Sequence, residues 1–319
     1  MVKIAILGSA GMIGQEILSQ LNAGSGPEIS RLIACDVIST PVGSPLAERT
    51  VEVVGTVTEP SAVAAVLDQR PDCIIHLASV VSGEAETNFE KGYTINFDAT
   101  YAMLEEIRRL NASEGYRPKF VFASSIAVFG PPFPEVLGDD FHLAPRTSYG
   151  TQKAMQELLV NDYTRRGFID GISLRLPTIC VRPGKANLAA SSFFSNIIRE
   201  PLAGKEAVLP VDESLRHCFA SPQSAAGYFV HALTLDFSQM DHNRALSMPG
   251  VSATVGEQIE ALEEVAGAGA VALIRKEIDL VIEGIVTGWA PGFTAERAKA
   301  LGFKADADFV DIVRKHVAR

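Results

Sequence analysis

Val2-Lys3-Ile4-Ala5-Ile6-Leu7-Gly8-Ser9-Ala10-Gly11-Met12-Ile13-Gly14 opens the chain. A short apolar run stops on three glycines spaced GxxGxxG, and residues 15–22 then read as a helix. Strand, glycine turn and helix, in that order, are the setting of a phosphate-binding loop. Glycines let the backbone approach a pyrophosphate, and the helix start offers free N–H groups and the positive end of a dipole. Gly8, Gly11, Met12, Ile13 and Gly14 are therefore candidate cofactor contacts. Glycine turns are common, so the weight lies in the flanks and in the position after the first strand.

The next apolar run, residues 31–35, closes on Asp36. An acid about 20 positions after the loop accepts hydrogen bonds from adenosine ribose hydroxyls, and its charge repels a 2′-phosphate. Val37-Ile38-Ser39-Thr40 follows, without an arginine, so NAD is favoured over NADP. A solvated Asp at a strand end is the plainer alternative.

Further strands are expected at 51–54, 72–77 and 119–123, with helices at 59–69 and 96–110 and a polar loop at 80–91. Alternating apolar strands and helices imply an α/β fold, a Rossmann doubly wound parallel sheet. Ligands of such sheets lie beyond the carboxyl ends of the strands. Gly8, Asp36, Ala78-Ser79 and Ser125 all fall at those ends, and Leu77 beside them is a further cofactor candidate. His76, on an otherwise apolar strand, reads as a hydrogen-bonded core histidine.

Tyr149 and Lys153 stand four residues apart in a segment with Met155, Leu158, Leu159 and Tyr163 at helical spacing. Residues i and i+4 share a helix face. A free phenol ionises near pH ~10, and a neighbouring cation favours the phenolate. The pair fits a tyrosine general base. The spacing alone is common by chance; the strand ends around it give it meaning.

The 319 residues are 47% apolar and carry a net charge of −10, which argues against a nucleic-acid partner. Cys35, Cys73, Cys180 and Cys218 show no metal-ligand spacing, so no metal is expected and buried thiols are. The apolar N-terminal run is too short for a signal peptide, and no stretch reaches the ~20 residues of a membrane span. The reading is a soluble cytoplasmic protein.

The second half is less informative. A sixth strand is expected at 170–176, a helix near 191–199, helical structure at 221–235 and amphipathic material at 301–318. A basic turn runs Arg182-Pro183-Gly184-Lys185, and Arg216-His217 precedes a return strand. Arg182 and Arg216 are candidates for a carboxylate or phosphate, since guanidinium forks suit such groups. Ion pairs with the chain's many acids are the other use. Ser79, Ser82 and Ser125 are candidates for substrate hydroxyls, and Trp289 for packing. The expected domains are 1–176, with 215–240 packing back on it, and a substrate domain of 177–214 and 241–319. Residues 243–248 and a helix at 254–265 are assigned to that smaller domain.

Taken together, Gly8-x-x-Gly11-x-x-Gly14, Asp36, His76-Leu77-Ala78-Ser79, Asn96, Ser124-Ser125-Ile126-Ala127-Val128-Phe129-Gly130 and Tyr149-x-x-x-Lys153 resemble the extended short-chain dehydrogenase/reductase family of NAD-dependent epimerases and dehydratases. The resemblance covers roughly residues 1–185. It implies a Rossmann domain with a smaller C-terminal α/β substrate domain, NAD as cofactor, and Ser125, Tyr149 and Lys153 as catalytic residues. It also implies Asn96 and Thr178 as cofactor contacts, and a homodimer through helices near 96–110 and 149–166. Gly55-Thr56 stands where relatives often carry an acid for the adenine amine, and Phe129 replaces a frequent tyrosine.

Val81-Ser82-Gly83-Glu84, Leu176-Pro177-Thr178-Ile179 and Gly288-Trp289-Ala290-Pro291 are similar to the sugar-acid oxidoreductases of that family. That likeness implies a small anionic substrate, D-erythronate or a similar aldonate, oxidised at C2. A nucleotide-sugar epimerase with retained NAD uses the same trio and is the main alternative. Ile126-Ala127 after Ser125 argues against a dehydratase, which carries an Asp-Glu pair there. The intact trio argues against a non-catalytic NAD sensor.

Overall fold

The structure, a computed structural model, describes residues 1–184 and 191–319. Lys185 of the basic turn lies outside the described residues. The chain forms two compact units, residues 1–125, 147–175 and 226–246, and residues 126–146, 176–225 and 247–319.

The first unit starts with β1 (Val2–Leu7), α1 (Met12–Asn22), β2 (Ile29–Asp36), β3 (Thr50–Val54), α2 (Pro60–Leu67) and β4 (Cys73–His76). It continues with α3 (Ser82–Thr87), α4 (Phe89–Gly92), a π-helical turn (Tyr93–Asp98), α5 (Ala99–Glu114) and β5 (Lys119–Ser125). After α6 (Ser148–Arg165) and β6 (Asp170–Leu176), the chain enters β7 (Thr178–Ile179), α7 (Ser192–Leu202), β8 (Ala207–Leu209), β9 (Arg216–Ala220) and α8 (Pro222–Thr234). Then come β10 (Ala245–Ser247), β11 (Val251–Thr254), α9 (Val255–Ala266), α10 (Ala268–Val271), β12 (Ile274–Lys276), α11 (Leu280–Val286), α12 (Glu296–Ala300) and α13 (Phe309–Val317).

Seven strands form one sheet in the order β10-β6-β5-β4-β1-β2-β3. The pairings of β1 with β2 and β4, of β2 with β3 and of β4 with β5 are parallel. Ile4, Ala5, Ile6 and Leu7 are all buried. A strand covered on both faces needs such a continuous apolar run, not an alternating one. On one face, Ala5, Leu7, Ile33 and Phe120 pack with Val63 of α2, Met103, Leu104 and Ile107 of α5, and Val160 of α6.

Three readings are corrected. The segment 80–91 holds α3 and α4 and is not a plain loop. Asn88 caps α4 by accepting from Lys91 N at 3.0 Å, and Lys91 pairs with Glu84. The helix expected at 96–110 begins instead as a π-helical turn and becomes α-helical at Ala99. Residues 245–247 form the edge strand of the large sheet beside β6, so they do not belong with the smaller sheets. Ser173 N donates to Arg244 O at 2.8 Å just before that strand.

The second unit holds a three-stranded sheet, β11-β9-β7, and the parallel pair β12-β8. Its core gathers Phe193, Phe194, Ile197 and Ile198 of α7, Phe219 of β9, Leu262 of α9, and Phe309, Ile312 and Val313 of α13. Thr254 and Glu257 form a reciprocal capping box at the start of α9, the local signal T-x-x-E.

Candidate active site

The glycine turn is shaped by two positions. Gly8 has φ +86°, and a Cβ on it would lie 2.9 Å from Ala78 N. A Cβ on Gly14 would lie 2.4 Å from Gly8 O and 2.6 Å from Ser9 O. Backbone, not movable side chains, fills both places, so only glycine fits. Gly8 N and Ser9 N donate to Cys35 O, which anchors the turn to the end of β2. Gly11 caps α1 without a side-chain partner, and the first turn of that helix carries no acid. Its leading N–H groups and dipole suit an anion. Met12 and Ile13 are half-buried in that first turn.

Asp36 is half-buried at the end of β2. It accepts from Ala10 N at 2.9 Å and Val37 N at 2.7 Å, so the glycine turn itself orients the carboxylate. Beyond β4, Leu77 N donates to Leu7 O, and Ala78 passes against Gly8. Asn96 is fully buried on the π-helical turn. It accepts from Val80 N at 2.8 Å and Ser79 Oγ at 3.0 Å, and donates to Gln152 Oε1 at 2.8 Å. Its side chain braces the strand end at Ser79-Val80 from inside. Ser82 starts α3 and is half-buried.

The end of β5 meets α6 at Lys153. Thr147 caps α6 by accepting from Gly150 N, and the helix then carries Tyr149 and Lys153 one turn apart. Lys153 is only 2% exposed. Its Nζ donates to Ala123 O at 2.8 Å, two residues before Ser125. The same Nζ lies 5.6 Å from the centre of the Tyr149 ring and 4.7 Å from that of Phe122. Burial pushes the lysine down from its usual 10.5 to about 7, and the Glu157 carboxylate acts against the fall.

Sequence reasoning passed over Glu157 and Arg175. Glu157 follows Lys153 by four residues and is 3% exposed. Arg175, on β6, grips it with Nε at 2.9 and 3.1 Å and Nη2 at 2.7 Å. Ser124 Oγ donates to the same carboxylate at 2.5 Å. The available signal was a charged residue inside the apolar run of β6, which demands a buried partner.

His76 is buried, shares a 2.9 Å hydrogen bond with Thr100 Oγ1, and is pushed down to about 3 by burial and by Lys153. It is a core residue. The remaining candidates lie in the second unit. Thr178 Oγ1 and His217 Nε2 are 2.6 Å apart, and His217 stacks on Phe194. Trp289 packs beside His217 against the second core. Arg182 donates from Nε to Ile179 O at 3.1 Å. Arg216 donates to Ser252 O at 3.1 Å and pairs with Glu257 at 3.2 Å. All four cysteines are buried, with thiols pushed up to about 11 or 12. Among the described residues, no group of three or more potential ligands could hold a metal, and no helix is long and apolar enough to cross a membrane.

The model of the NAD dependent epimerase/dehydratase family matches residues 4–220. The chain belongs to that family. Relatives named D-erythronate dehydrogenase, from Haemophilus influenzae and Cupriavidus necator, are 40% and 41% identical to it. The first alignment covers 99% of both chains, the second 99% of this chain and 98% of the relative. A solved structure described as the nucleoside-diphosphate-sugar epimerase from Agrobacterium tumefaciens superposes with TM-score 0.95 at 50% identity. That superposition covers 99% of this chain and 94% of the other.

Proposed function

We propose that the protein is an NAD-dependent dehydrogenase that oxidises the C2 hydroxyl of D-erythronate, or a closely similar aldonate, to the 2-oxo acid. One observation carries the chemistry: Tyr149 and Lys153 lie one helical turn apart, with the lysine Nζ buried 5.6 Å from the tyrosine ring. The substrate class is supported by the two full-length relatives named for D-erythronate.

The residues present fit NAD. Gly8 and Gly14 leave a cradle that a Cβ would fill, the start of α1 is free of side-chain caps, and Asp36 is oriented beside it. Gly8, Gly11, Met12, Ile13 and Gly14 would hold the pyrophosphate, Asp36 the adenosine ribose, and Leu77, Ala78 and Ser79 would flank the cofactor. Lys153 would hold its nicotinamide half, with Asn96 acting by bracing Ser79. Bound NAD supplies the two-electron acceptor for the alcohol carbon.

Ser125 holds the reacting hydroxyl, and Tyr149, as phenolate, removes its proton. The Lys153 ammonium stabilises that phenolate. General-base help of this kind contributes about 10²–10⁴-fold in rate, and positioning supplies much of the rest. Ser79 and Ser82 are assigned to the other substrate hydroxyls. Arg182 and Arg216 are the candidate partners of the carboxylate. Arg216 would have to share its ion pair with Glu257 to serve. The same reading includes a homodimer through α5 and α6, which expose Tyr101 and Leu158.

The test is NADH formation against a panel of four- to six-carbon aldonates, with nucleotide sugars as controls, in wild type and Tyr149→Phe. Strong NADH formation on D-erythronate is expected. The variant is expected to keep NAD affinity and lose turnover by about 10²–10⁴-fold. Near wild-type turnover would remove Tyr149 as the base. The description of the Agrobacterium structure favours a second reading, a nucleotide-sugar epimerase. Interconversion of a nucleotide sugar without free NADH would support that reading instead.

A further inference from the structure

We propose that Glu157 and Arg175 are positioning residues for the reaction, a buried ion pair that ties the strand end carrying Ser125 to the helix carrying Tyr149 and Lys153 and sets the charge balance around the lysine. The inference rests on Tyr149 and Lys153 being the working pair.

Tyr149, Lys153 and Glu157 follow one another at i, i+4 and i+8 on α6, so they form one stripe. Two consecutive residues of β5 are tied to this stripe. Ala123 O accepts from Lys153 Nζ at 2.8 Å, and Ser124 Oγ donates to Glu157 at 2.5 Å. Ser125 comes next. The strand end is thus indexed to the helix immediately before the residue that would hold the substrate hydroxyl.

Arg175 fixes the clamp from the other side. Its fork makes three hydrogen bonds to Glu157, and both side chains are almost fully enclosed, at 6% and 2% exposure. A fork of this kind holds a carboxylate in one orientation. Desolvating two charges is expensive, and buried ion pairs are often no more stabilising than apolar replacements. Stability alone is therefore a weak reason for the pair.

The charges point the same way. Lys153 faces Tyr149 and Glu157 on its own helix and is coupled to His76 of β4, which is neutral. The nearby part of β5 offers a carbonyl and the Phe122 ring, and Arg175 of β6 faces Glu157. Glu157 is the anion that opposes the effect of burial on Lys153. Without it, burial would act unopposed by that charge, and the ammonium would release its proton at lower pH. A neutral lysine no longer stabilises the phenolate.

The experiment follows the titration of Lys153 in the cofactor-free protein by NMR of ¹³Cε-labelled lysine, with the signal assigned by Lys153→Arg. NADH formation is measured on the same variants. In Glu157→Gln the lysine is expected to titrate lower by on the order of one pH unit, with turnover reduced. Glu157→Asp keeps the charge and is expected to restore the titration, while its shorter arm lets Ser124 go and leaves turnover reduced. An unmoved titration in Glu157→Gln overturns the proposal, as does wild-type turnover in that variant. Should Glu157→Gln fail to fold, Arg175→Lys carries the test, because it keeps both charges and loses the fork. Turnover should then fall about tenfold with the lysine titration in place, and wild-type turnover overturns the clamp. A wild-type protein inactive on every aldonate would refute the proposed function, whereas the NMR titration would still decide the role of the pair.

Discussion

Lys153→Met is expected to make the protein harder to unfold at neutral pH even as it removes turnover. Burial moves the lysine from its usual 10.5 to about 7. At about 1.4 kcal/mol per pH unit, that shift costs the native state roughly 4 kcal/mol at pH 7. Methionine has a similar length and no charge to desolvate. Its drawback is the lost hydrogen bond to Ala123 O and the lost contact over Phe122, together about 1–3 kcal/mol. A net gain of about 1–3 kcal/mol at pH 7 follows. The pH dependence has a definite sign. Between about 7 and 10.5 the unfolded chain holds the lysine proton and the native protein has released it. The unfolded state binds more protons there, so the lysine makes wild-type stability rise with pH through that window. The variant lacks this slope. The four thiols titrate at the alkaline end in both proteins and cancel in the difference. Urea unfolding followed by circular dichroism should show the variant ahead at pH 7 and level with or behind wild type at pH 10. A variant no more stable than wild type at pH 7, or a gap that persists unchanged to pH 10, would refute the reasoning.

Two other parts of the structure are tested by substitution. Gly14→Ala should lower NAD affinity about 10–100-fold by calorimetry, because the added Cβ meets Gly8 O and Ser9 O and about 1–3 kcal/mol of overpacking falls on the turn. Gly138→Ala, whose Cβ meets nothing within 4 Å, should bind like wild type, and equal affinity in the two variants would count against the cradle. Asp306→Ala should cost about 2–4 kcal/mol in urea unfolding. That carboxylate accepts from Ser221 N, Ser221 Oγ, Ser224 Oγ and Lys315 Nζ at 2.6–2.8 Å, and an unchanged midpoint would show that these donors find other partners.

The strands of the large sheet were legible where an apolar run ends on small or acidic residues, as at Leu7-Gly8, Cys35-Asp36 and Ala123-Ser124. There, burial on both faces dictates composition. β10 is hard to place from sequence because three residues, Ala245-Leu246-Ser247, carry no periodicity and their pairing with β6 is long-range. α3 and α4 escaped notice for a similar reason: one or two turns held by Asn88 and a Lys91–Glu84 pair leave no apolar stripe. Tyr149 and Lys153 were legible because their relation is local, fixed by the helix itself. Glu157 continues the same spacing, but an acid on a helix is usually a solvated one. Only Arg175, brought by β6, makes it a buried one. Arg216 shows the converse, since its pairing with Glu257 depends on β11 and the start of α9 folding against β9.

The late arrival of β10 has a consequence during synthesis. The first unit draws on three separate stretches of the chain, and its sheet closes on residues 245–247. A ribosome adding about 5–20 residues per second needs several seconds to make residues 177–244 after β6 has emerged. Through that interval the N–H and C=O groups of β6 that will face β10 have no strand beside them. An open edge of this kind is a template for pairing with another nascent chain. Polysomes, on which nascent chains at the same stage sit close together, are therefore where this fold is most exposed to aggregation.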